Sequence, residues 1–267
     1  MDVQTNWWES FFEGVAVTMW LQAVPAERTQ RDAERLVRLL ALSPGAEILD
    51  VPCGAGRLAL PLAEHGYRLT GVDWSSEFLG HARSGDALRQ VAWERRDMRD
   101  LPWHGRFDGA FCVGNSFGYL DDDGNAAFLR AVRAALKPGG RFVLETPMVL
   151  ENLLNHLQAR AWWKAGDVYL LVENQYDQAR ARLHIEYTFV SNGRLEVRRG
   201  SHRAYTYGEL VELLTSSGFA VELAEPWTID AQSATFVATR DQGRSLSAMN
   251  CSRSFRTRSS AFRSARR

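Results

Sequence analysis

The segment that most constrains the fold of this chain is residues 47–73. Its hydrophobic pattern and glycines predict, in order, a short strand, a tight turn, a helix and a second strand, at residues 48–51, 54–56, 57–64 and 67–72. This is a β-turn-α-β unit with Asp73 at the end of its second strand. Glycine lets the backbone pass close to a ligand, the first turn of a helix has free N–H groups, and a carboxylate at the second strand end can accept hydrogen bonds from ribose hydroxyls. The unit therefore predicts a nucleoside site.

The spacing of the glycines separates two classes of nucleoside ligand. A dinucleotide site reads G-x-G-x-x-G, with its third glycine inside the helix. Residues 50–57 read D-V-P-C-G-A-G-R, and Leu58 and Ala59 follow without a third glycine. Asp50 stands just before the turn, where a carboxylate suits an ammonium group and is poorly placed beside a pyrophosphate. The pattern favours a cofactor with an ammonium group and no phosphate; the alternative is a βαβ unit that binds nothing.

With these residues the segment resembles the first motif of the class I S-adenosylmethionine-dependent methyltransferases, which usually reads acid-x-G-x-G-x-G. Pro52 stands where the first glycine normally falls, and Gly54 and Gly56 keep the two later ones. Residues 115–119, N-S-F-G-Y, resemble a segment seen in small-molecule methyltransferases, including those that act on amino sugars and small amines. The resemblance covers roughly residues 30–240. It implies S-adenosylmethionine as the cofactor and seven strands in the main sheet.

The rest of the chain changes pattern once. Strand and helix patterns alternate up to residue 145, with a turn predicted at residues 137–140. This alternation predicts a parallel, doubly wound sheet. Period-2 alternation then appears at residues 168–172, 183–190 and 195–199, with a hairpin turn at Asn192-Gly193. A capping box at residues 206–209 begins another helix, and two last strands follow. We expect an α/β, Rossmann-like, doubly wound seven-stranded sheet with a small antiparallel β-lid inserted after the fifth strand.

The expected organisation has four parts. Residues 1–28 hold an N-terminal lid helix, 29–160 and 201–240 the class I methyltransferase domain, 161–200 the inserted antiparallel β-lid for substrate, and 241–267 a basic disordered tail. In the first helix, predicted over residues 6–22, one face carries Trp8, Phe11, Phe12, Val15 and Met19. Simple packing against the body and a lid over the active site remain equal alternatives for that face.

The resemblance implies cofactor contacts at the ends of successive strands. Asp50 would meet the amino group of the methionine part through water or backbone, Asp73 the ribose hydroxyls, and Asp97 with Met98 the adenine. The implied cofactor residues are Asp50, Pro52, Cys53, Gly54, Ala55, Gly56, Asp73, Trp74, Asp97, Met98, Asn115 and Ser116. Three alternatives stay open: Asp50 only caps the turn, Asp97 pairs with Arg95 or Arg99 on a solvated loop, and residues 115–116 are ordinary turn chemistry.

Transfer of a methyl group from a sulfonium needs alignment and exclusion of water more than a dedicated base. If a base exists, the candidate is His202; its alternative is a lone core or surface histidine. The aromatic residues predicted to surround an apolar or cationic substrate are Trp8, Phe12, Tyr119, Trp163, Tyr176 and Tyr205. Residues 121–123 are three consecutive acids at a predicted helix start, so we interpret Asp122 or Asp123 as an N-cap and expect no metal site.

Composition excludes several classes of function. No apolar run approaches the about 20 residues needed to span a bilayer, and no signal pattern begins the chain, so we expect a cytoplasmic protein and no membrane partner. The three cysteines show neither metal-ligand spacing nor a disulfide framework. Residues 241–267 carry seven arginines against one aspartate, a net charge of +6. Because the whole chain has a net charge of zero, residues 1–240 have a net charge of −6. An acidic body is a poor match for nucleic acid.

The sequence therefore predicts a methyltransferase that acts on an N or O nucleophile of a small molecule by in-line displacement, as a monomer or homodimer. Two alternatives remain. One is an RNA or other nucleic-acid methyltransferase that uses the basic tail; the other is a non-catalytic protein that binds S-adenosylmethionine. The identity of the acceptor does not follow from the sequence.

Overall fold

The computed structural model describes residues 3–224 and 232–241; most of the predicted basic tail lies outside the described residues. The helices are α1 Trp8–Phe11, α2 Val15–Gln22, α3 Ala26–Leu40, α4 Ala59–Glu64, α5 Ser76–Gly85, α6 Asp122–Ala135, α7 Leu150–His156 and α8 Tyr207–Ser216. The strands are β1 Glu47–Asp50, β2 Arg68–Asp73, β3 Val91–Arg95, β4 Phe107–Cys112, β5 Leu136–Thr146, β6 Arg160–Ala165, β7 Val168–Asp177, β8 Arg182–Ser191, β9 Arg194–Arg203, β10 Phe219–Leu223 and β11 Ala234–Arg240.

The main sheet has seven strands in the order β10-β11-β5-β4-β1-β2-β3, which confirms the predicted fold class. Strands β1 to β5 pair in parallel, and β11 runs antiparallel to both β5 and β10. Neighbouring residues Ile48 and Leu49 of β1 belong to different hydrophobic clusters, so both faces of the sheet are covered. The strand order reverses between β1 and β4. In such a sheet the crevice for a ligand lies at the carboxyl ends of these strands.

A second sheet follows β5 and α7, with the antiparallel strand order β6-β7-β8-β9. The hairpin turn at Asn192 and Gly193 has positive φ at both residues, 51° and 71°, as the sequence pair predicts. The periodicity predicted three strands and missed β6. The reason is that β6 is an edge strand in which five of six residues are at least partly exposed, so its side chains show no alternation of apolar and polar positions.

The prediction of one helix over residues 6–22 is wrong, because the N-terminal segment forms two helices. Two helices, α1 and α2, are separated by Gly14, whose φ of 54° ends helical geometry. The N–H of Gly14 donates to the Glu77 carboxylate at 2.8 Å. Trp8, Phe11 and Met19 are still buried, so the aromatic residues reach the core from two short helices instead of one face.

Two smaller predictions were also wrong. The N-cap of α6 is Asp121, not Asp122 or Asp123, because its Oδ1 accepts the Gly124 N–H at 2.8 Å. Residues 137–140, predicted as a turn, lie within β5 instead. The pairing of β5 with β4 is irregular there and shifts register between Phe107 and Gly109.

Candidate functional site

A cavity of about 640 Å³ lies at the carboxyl ends of β1, β2 and β4. It is within the range of 300–1,000 Å³ typical of small-molecule sites. Nine of the predicted cofactor residues line it: Pro52, Cys53, Gly54, Ala55, Asp73, Trp74, Met98, Asn115 and Ser116. Three of the predicted substrate residues line it as well: Trp8, Phe12 and Tyr119. The structure therefore brings twelve of the predicted site residues to one cavity.

Asp73 is held rigidly at the end of β2. It is 8% exposed. Its Oδ2 accepts the Gly54 N–H and its Oδ1 accepts the Ser75 N–H, each at 2.8 Å. Burial raises the pKa of this carboxyl to about 6, although the backbone N–H groups of Ser75, Gly54 and Trp74 oppose that shift. Because each carboxylate oxygen has a further lone pair, Asp73 can accept two more hydrogen bonds from a ligand.

The two glycines of the turn are needed for different reasons. Gly54 has φ +54°, and a Cβ built there would meet nothing within 4 Å, so this position is open. Gly56 has φ +76°, and its Cβ would lie 2.4 Å from the Trp93 ring. Trp93 is itself fixed by its indole N–H, which donates to Asp86 at 3.1 Å. Gly56 does not line the cavity, so the close approach that requires glycine is made by a side chain of the protein.

Asp50 lies behind the turn and does not line the cavity. It is 4% exposed. Burial, and next the negative charge of Asp73, raise its pKa well above the usual range for an aspartate, while the Arg57 guanidinium opposes the shift. A direct contact from Asp50 to a ligand is therefore not part of the present geometry. The predicted contact through water or backbone stays a prediction.

Only one of the two residues predicted to bind adenine lies at the cavity. Met98 lines the cavity, whereas Asp97 does not. The Asp97 carboxylate accepts hydrogen bonds from the backbone N–H of Arg99 at 2.8 Å and from its guanidinium. This is the ion pair that the sequence left open as an alternative. Each carboxylate oxygen accepts two such contacts from Arg99, so an adenine contact would have to share or replace one of them, and it stays a prediction.

A continuous aromatic wall closes one side of the cavity, formed by Trp7, Phe11, Phe12, Tyr119 and Tyr187. The Tyr119 ring lies 4.7 Å from the ring of Trp7 and 6.0 Å from that of Phe12, centroid to centroid. Phe11 contacts both Trp7, at 5.1 Å, and Tyr187, at 4.9 Å. The Tyr119 side chain is also hydrogen-bonded to Ser116. The wall thus borders the polar residues at the end of β4.

Hydrogen bonds tie the N-terminal part of this wall to both halves of the protein. The indole N–H of Trp7 donates to the carbonyl oxygen of Ser201 in β9 at 3.1 Å. The Ser75 hydroxyl, two residues after Asp73, donates to the carbonyl oxygen of Phe12 at 2.8 Å. The segment that carries α1 therefore bridges the main sheet and the antiparallel sheet across the cavity.

His202 lies behind the aromatic wall and does not line the cavity. Its ring packs edge-on against Tyr119 at 5.0 Å, and its Nε2 is 3.4 Å from the Tyr187 hydroxyl. It is 1% exposed. Burial, with a smaller contribution from the Arg182 charge, lowers its pKa to about 3. A neutral histidine in the core, the alternative that the sequence left open, describes its position.

Three predicted substrate residues are not brought to the cavity. Trp163 lies on the edge strand β6 and is 51% exposed. Tyr176 is near the end of β7, paired with Leu183. The hydroxyl of Tyr205 donates to Asp122 at 2.9 Å, which anchors it at the start of α6. Aromatic composition could not distinguish these positions from the wall, because the place of each residue within the fold, and not its type, decides which ring reaches the cavity.

Sequence reasoning missed several residues that line the cavity, including Trp7, Trp20, Arg57 and Arg96. The alternation of β8 contained a signal for Tyr187, because its inward-facing neighbours Ile185 and Phe189 are buried as well. No comparable pattern in the sequence indicated that Arg57 and Arg96 line the cavity.

Within residues 3–224 and 232–241, the structure contains no group of three or more His, Cys, Asp or Glu side chains that could hold a metal ion. Over the same residues, no helix is both long and apolar enough to cross a membrane.

Comparison with known proteins gives three kinds of match. The family model described as "Methyltransferase domain" matches residues 48–140. The S-adenosyl-L-methionine-dependent Diels-Alderase iccD of Talaromyces variabilis is 37% identical over 43% of this chain and 41% of its own length. The O-methyltransferase resE of Aspergillus sclerotiorum is 31% identical over 49% of this chain and 52% of its own. The chain thus spans about half the length of these curated relatives.

The solved structure of the CcbJ methyltransferase from Streptomyces caelestis superposes with a TM-score of 0.72 at 19% identity, and covers 87% of this chain and 99% of that one. At this identity the superposition supports the fold. The family match falls on β1 to β5, the part of the sheet whose strand ends form the cavity. Over residues 48–140 the chain is therefore similar to the S-adenosylmethionine-dependent methyltransferases, and its fold is that of a solved methyltransferase.

Proposed function

We propose that the protein transfers a methyl group from S-adenosylmethionine to a nitrogen or oxygen nucleophile of a small molecule. The observation that carries this proposal is the Asp73 carboxylate, held by two backbone N–H groups, on the lining of a cavity of about 640 Å³ that also has an aromatic wall. A carboxylate with free lone pairs can accept both hydroxyls of a ribose, and its charge would repel a phosphate on the same sugar.

The residues at the cavity fit this cofactor. The open backbone at Gly54 leaves room for the methionine part beside the turn of residues 53–55. Trp74 and Met98 supply apolar surface for the adenine next to Asp73. Asn115 and Ser116, at the end of β4, border the space between this end and the aromatic wall. In the proposal, that space holds the transferable methyl group and the acceptor.

When bound, the cofactor would supply an electrophilic methyl carbon on a sulfonium. The nucleophile would attack this carbon in line with the C–S bond, and the neutral thioether would leave. The protein has to hold the two reactants in contact and exclude water, and alignment of this kind can lower a barrier by about 7–11 kcal/mol. Here the fixed Asp73 sets the position of the nucleoside, and the aromatic wall, anchored through Trp7 and Phe12, limits the positions open to the acceptor.

Calorimetric titration with S-adenosylhomocysteine tests the proposal, with NADH as the control ligand. We expect micromolar binding of the first and no binding of the second. Binding of NADH without S-adenosylhomocysteine would contradict the proposal, because the turn would then serve a dinucleotide. Binding of S-adenosylhomocysteine without methylation of any compound in a broad acceptor panel would favour a non-catalytic role.

A further inference from the structure

The side of the cavity that would receive the acceptor has an unusual shortage of proton-accepting groups. The described residues that line the cavity include no histidine, lysine or glutamate. The two that could accept a proton are Asp73 and Cys53, and both belong to the cofactor end. Asp73 already accepts two backbone N–H groups, and the Cys53 thiol is buried, which raises its pKa well above the usual range.

Among the described lining residues, the two that carry a positive charge are already paired with acids. The Arg57 guanidinium lies 2.8 Å from Asp32, and that of Arg96 lies 2.6 Å from Glu94. A guanidinium does not accept a proton, and with an acid partner each is a weak site for an acidic or phenolate acceptor.

The tyrosines of the aromatic wall cannot replace a base. Burial raises the pKa of both Tyr119 and Tyr187, so both phenols stay protonated at neutral pH. A relay from Tyr187 to His202 would have to charge a histidine that is enclosed in the core and lies near the positive charge of Arg182. Burial of that kind makes the imidazolium costly.

We infer that the acceptor is an amine that reaches the cavity as the neutral base, so that the enzyme is an N-methyltransferase; this inference rests on the proposed function. The geometry behind it is an acceptor side that is walled by aromatic rings and where no residue of the described part of the chain is placed to remove a proton from an alcohol or phenol. An amine needs none, because its nitrogen lone pair is already available.

The group transfer balances without an enzymic base. The amine lone pair forms the new N–C bond while the C–S bond breaks, and the electron pair of that bond stays on sulfur. The product leaves as an ammonium ion, which gives its extra proton to water after release. During this step positive charge moves from sulfur to nitrogen, and the faces of Trp7, Phe12, Tyr119 and Tyr187 can stabilise a cation by about 0.5–2 kcal/mol.

A pair of isosteric probes tests the cation preference of the wall. Choline and its carbon isostere, dimethylbutanol, have the same shape and differ in charge, and their binding to the protein saturated with S-adenosylhomocysteine can be compared by ligand-observed NMR. We expect choline to bind roughly 2- to 30-fold more tightly. Tyr119→Leu should reduce this preference, whereas Tyr169→Leu, on β7 outside the cavity, should leave it unchanged. Equal binding of the two probes, or stronger binding of dimethylbutanol, would overturn the inference.

Turnover supplies an independent test. Secondary amines of different basicity and phenols of matched size are offered with S-adenosylmethionine, and S-adenosylhomocysteine formation is followed against pH. We expect amines alone to react, with the acidic limb of kcat/KM moving with the pKa of each amine. Methylation of a phenol, or a limb fixed at one pH for all amines, would contradict the inference. A protein that does not bind S-adenosylhomocysteine would refute the proposed function instead, so the two failures are distinguishable.

Discussion

Replacement of Asp73 by asparagine is expected to weaken the binding of S-adenosylhomocysteine roughly 10- to 150-fold. This range corresponds to the loss of charge-assisted hydrogen bonds, about 1.5–3 kcal/mol. Asparagine keeps one carbonyl oxygen, which can still accept the Ser75 N–H, but its amide nitrogen then faces the Gly54 N–H, and two donors repel. The variant therefore loses one acceptor for the turn and one for the ribose.

Asp86→Asn is a matched control for this variant. Asp86 is also a buried aspartate that accepts N–H groups, from Gln90 at 2.8 Å and Val91 at 3.0 Å, but it does not line the cavity. We expect Asp86→Asn to lower the free energy of unfolding by about 1–3 kcal/mol and to leave the affinity unchanged. The stability of Asp73→Asn should fall less, because the substitution also removes a buried charge.

Two measurements decide the outcome: the dissociation constant by calorimetry and the free energy of unfolding by urea titration. Unchanged affinity in Asp73→Asn would refute the assignment of the ribose to this carboxylate. Equal loss of affinity in Asp73→Asn and Asp86→Asn would show that the effect comes from the general stability of the fold and not from a ligand contact.

Three further predictions follow from the same contacts. The affinity for S-adenosylhomocysteine, measured by calorimetry across pH, should be constant above neutrality and fall below about pH 6, because protonation of Asp73 removes the charged acceptor. Gly56→Ala should lower the free energy of unfolding in urea by about 1–3 kcal/mol, since its Cβ would overlap Trp93, whereas Gly80→Ala, whose Cβ meets nothing, should not. Arg182→Ala removes hydrogen bonds to the carbonyl oxygens of residues 119–120 and should cost about 1.5–3 kcal/mol of stability without changing calorimetric affinity.

The local chemistry of the βαβ unit made the cofactor end of the site predictable from sequence. A strand that ends in a turn and a second strand that ends in an acid must meet at one edge of a parallel sheet, so Gly54 and Asp73 had to be neighbours. The hairpin at residues 192–193 was predictable for a similar reason, because its two residues tolerate the positive φ that such a turn requires.

The remaining features of the site depend on contacts that the sequence pattern does not determine. The pairing of Asp97 with Arg99 was one of several equivalent ion pairs until the loop geometry selected it. The need for glycine at position 56 comes from Trp93, which the sequence did not connect with the turn. Tyr187, Tyr176 and Trp163 share one face of the antiparallel sheet, and only Tyr187 lies where that face meets the cavity, because Trp163 is on an edge strand and Tyr176 near a strand end.

The most direct test of the account is a crystal structure of the protein with S-adenosylhomocysteine bound. We expect both ribose hydroxyls to lie within about 2.5–3.0 Å of the Asp73 carboxylate, and the sulfur to face the aromatic wall that includes Tyr119. A nucleoside bound outside this cavity, or a ribose held by other side chains while Asp73 contacts only the backbone, would contradict it.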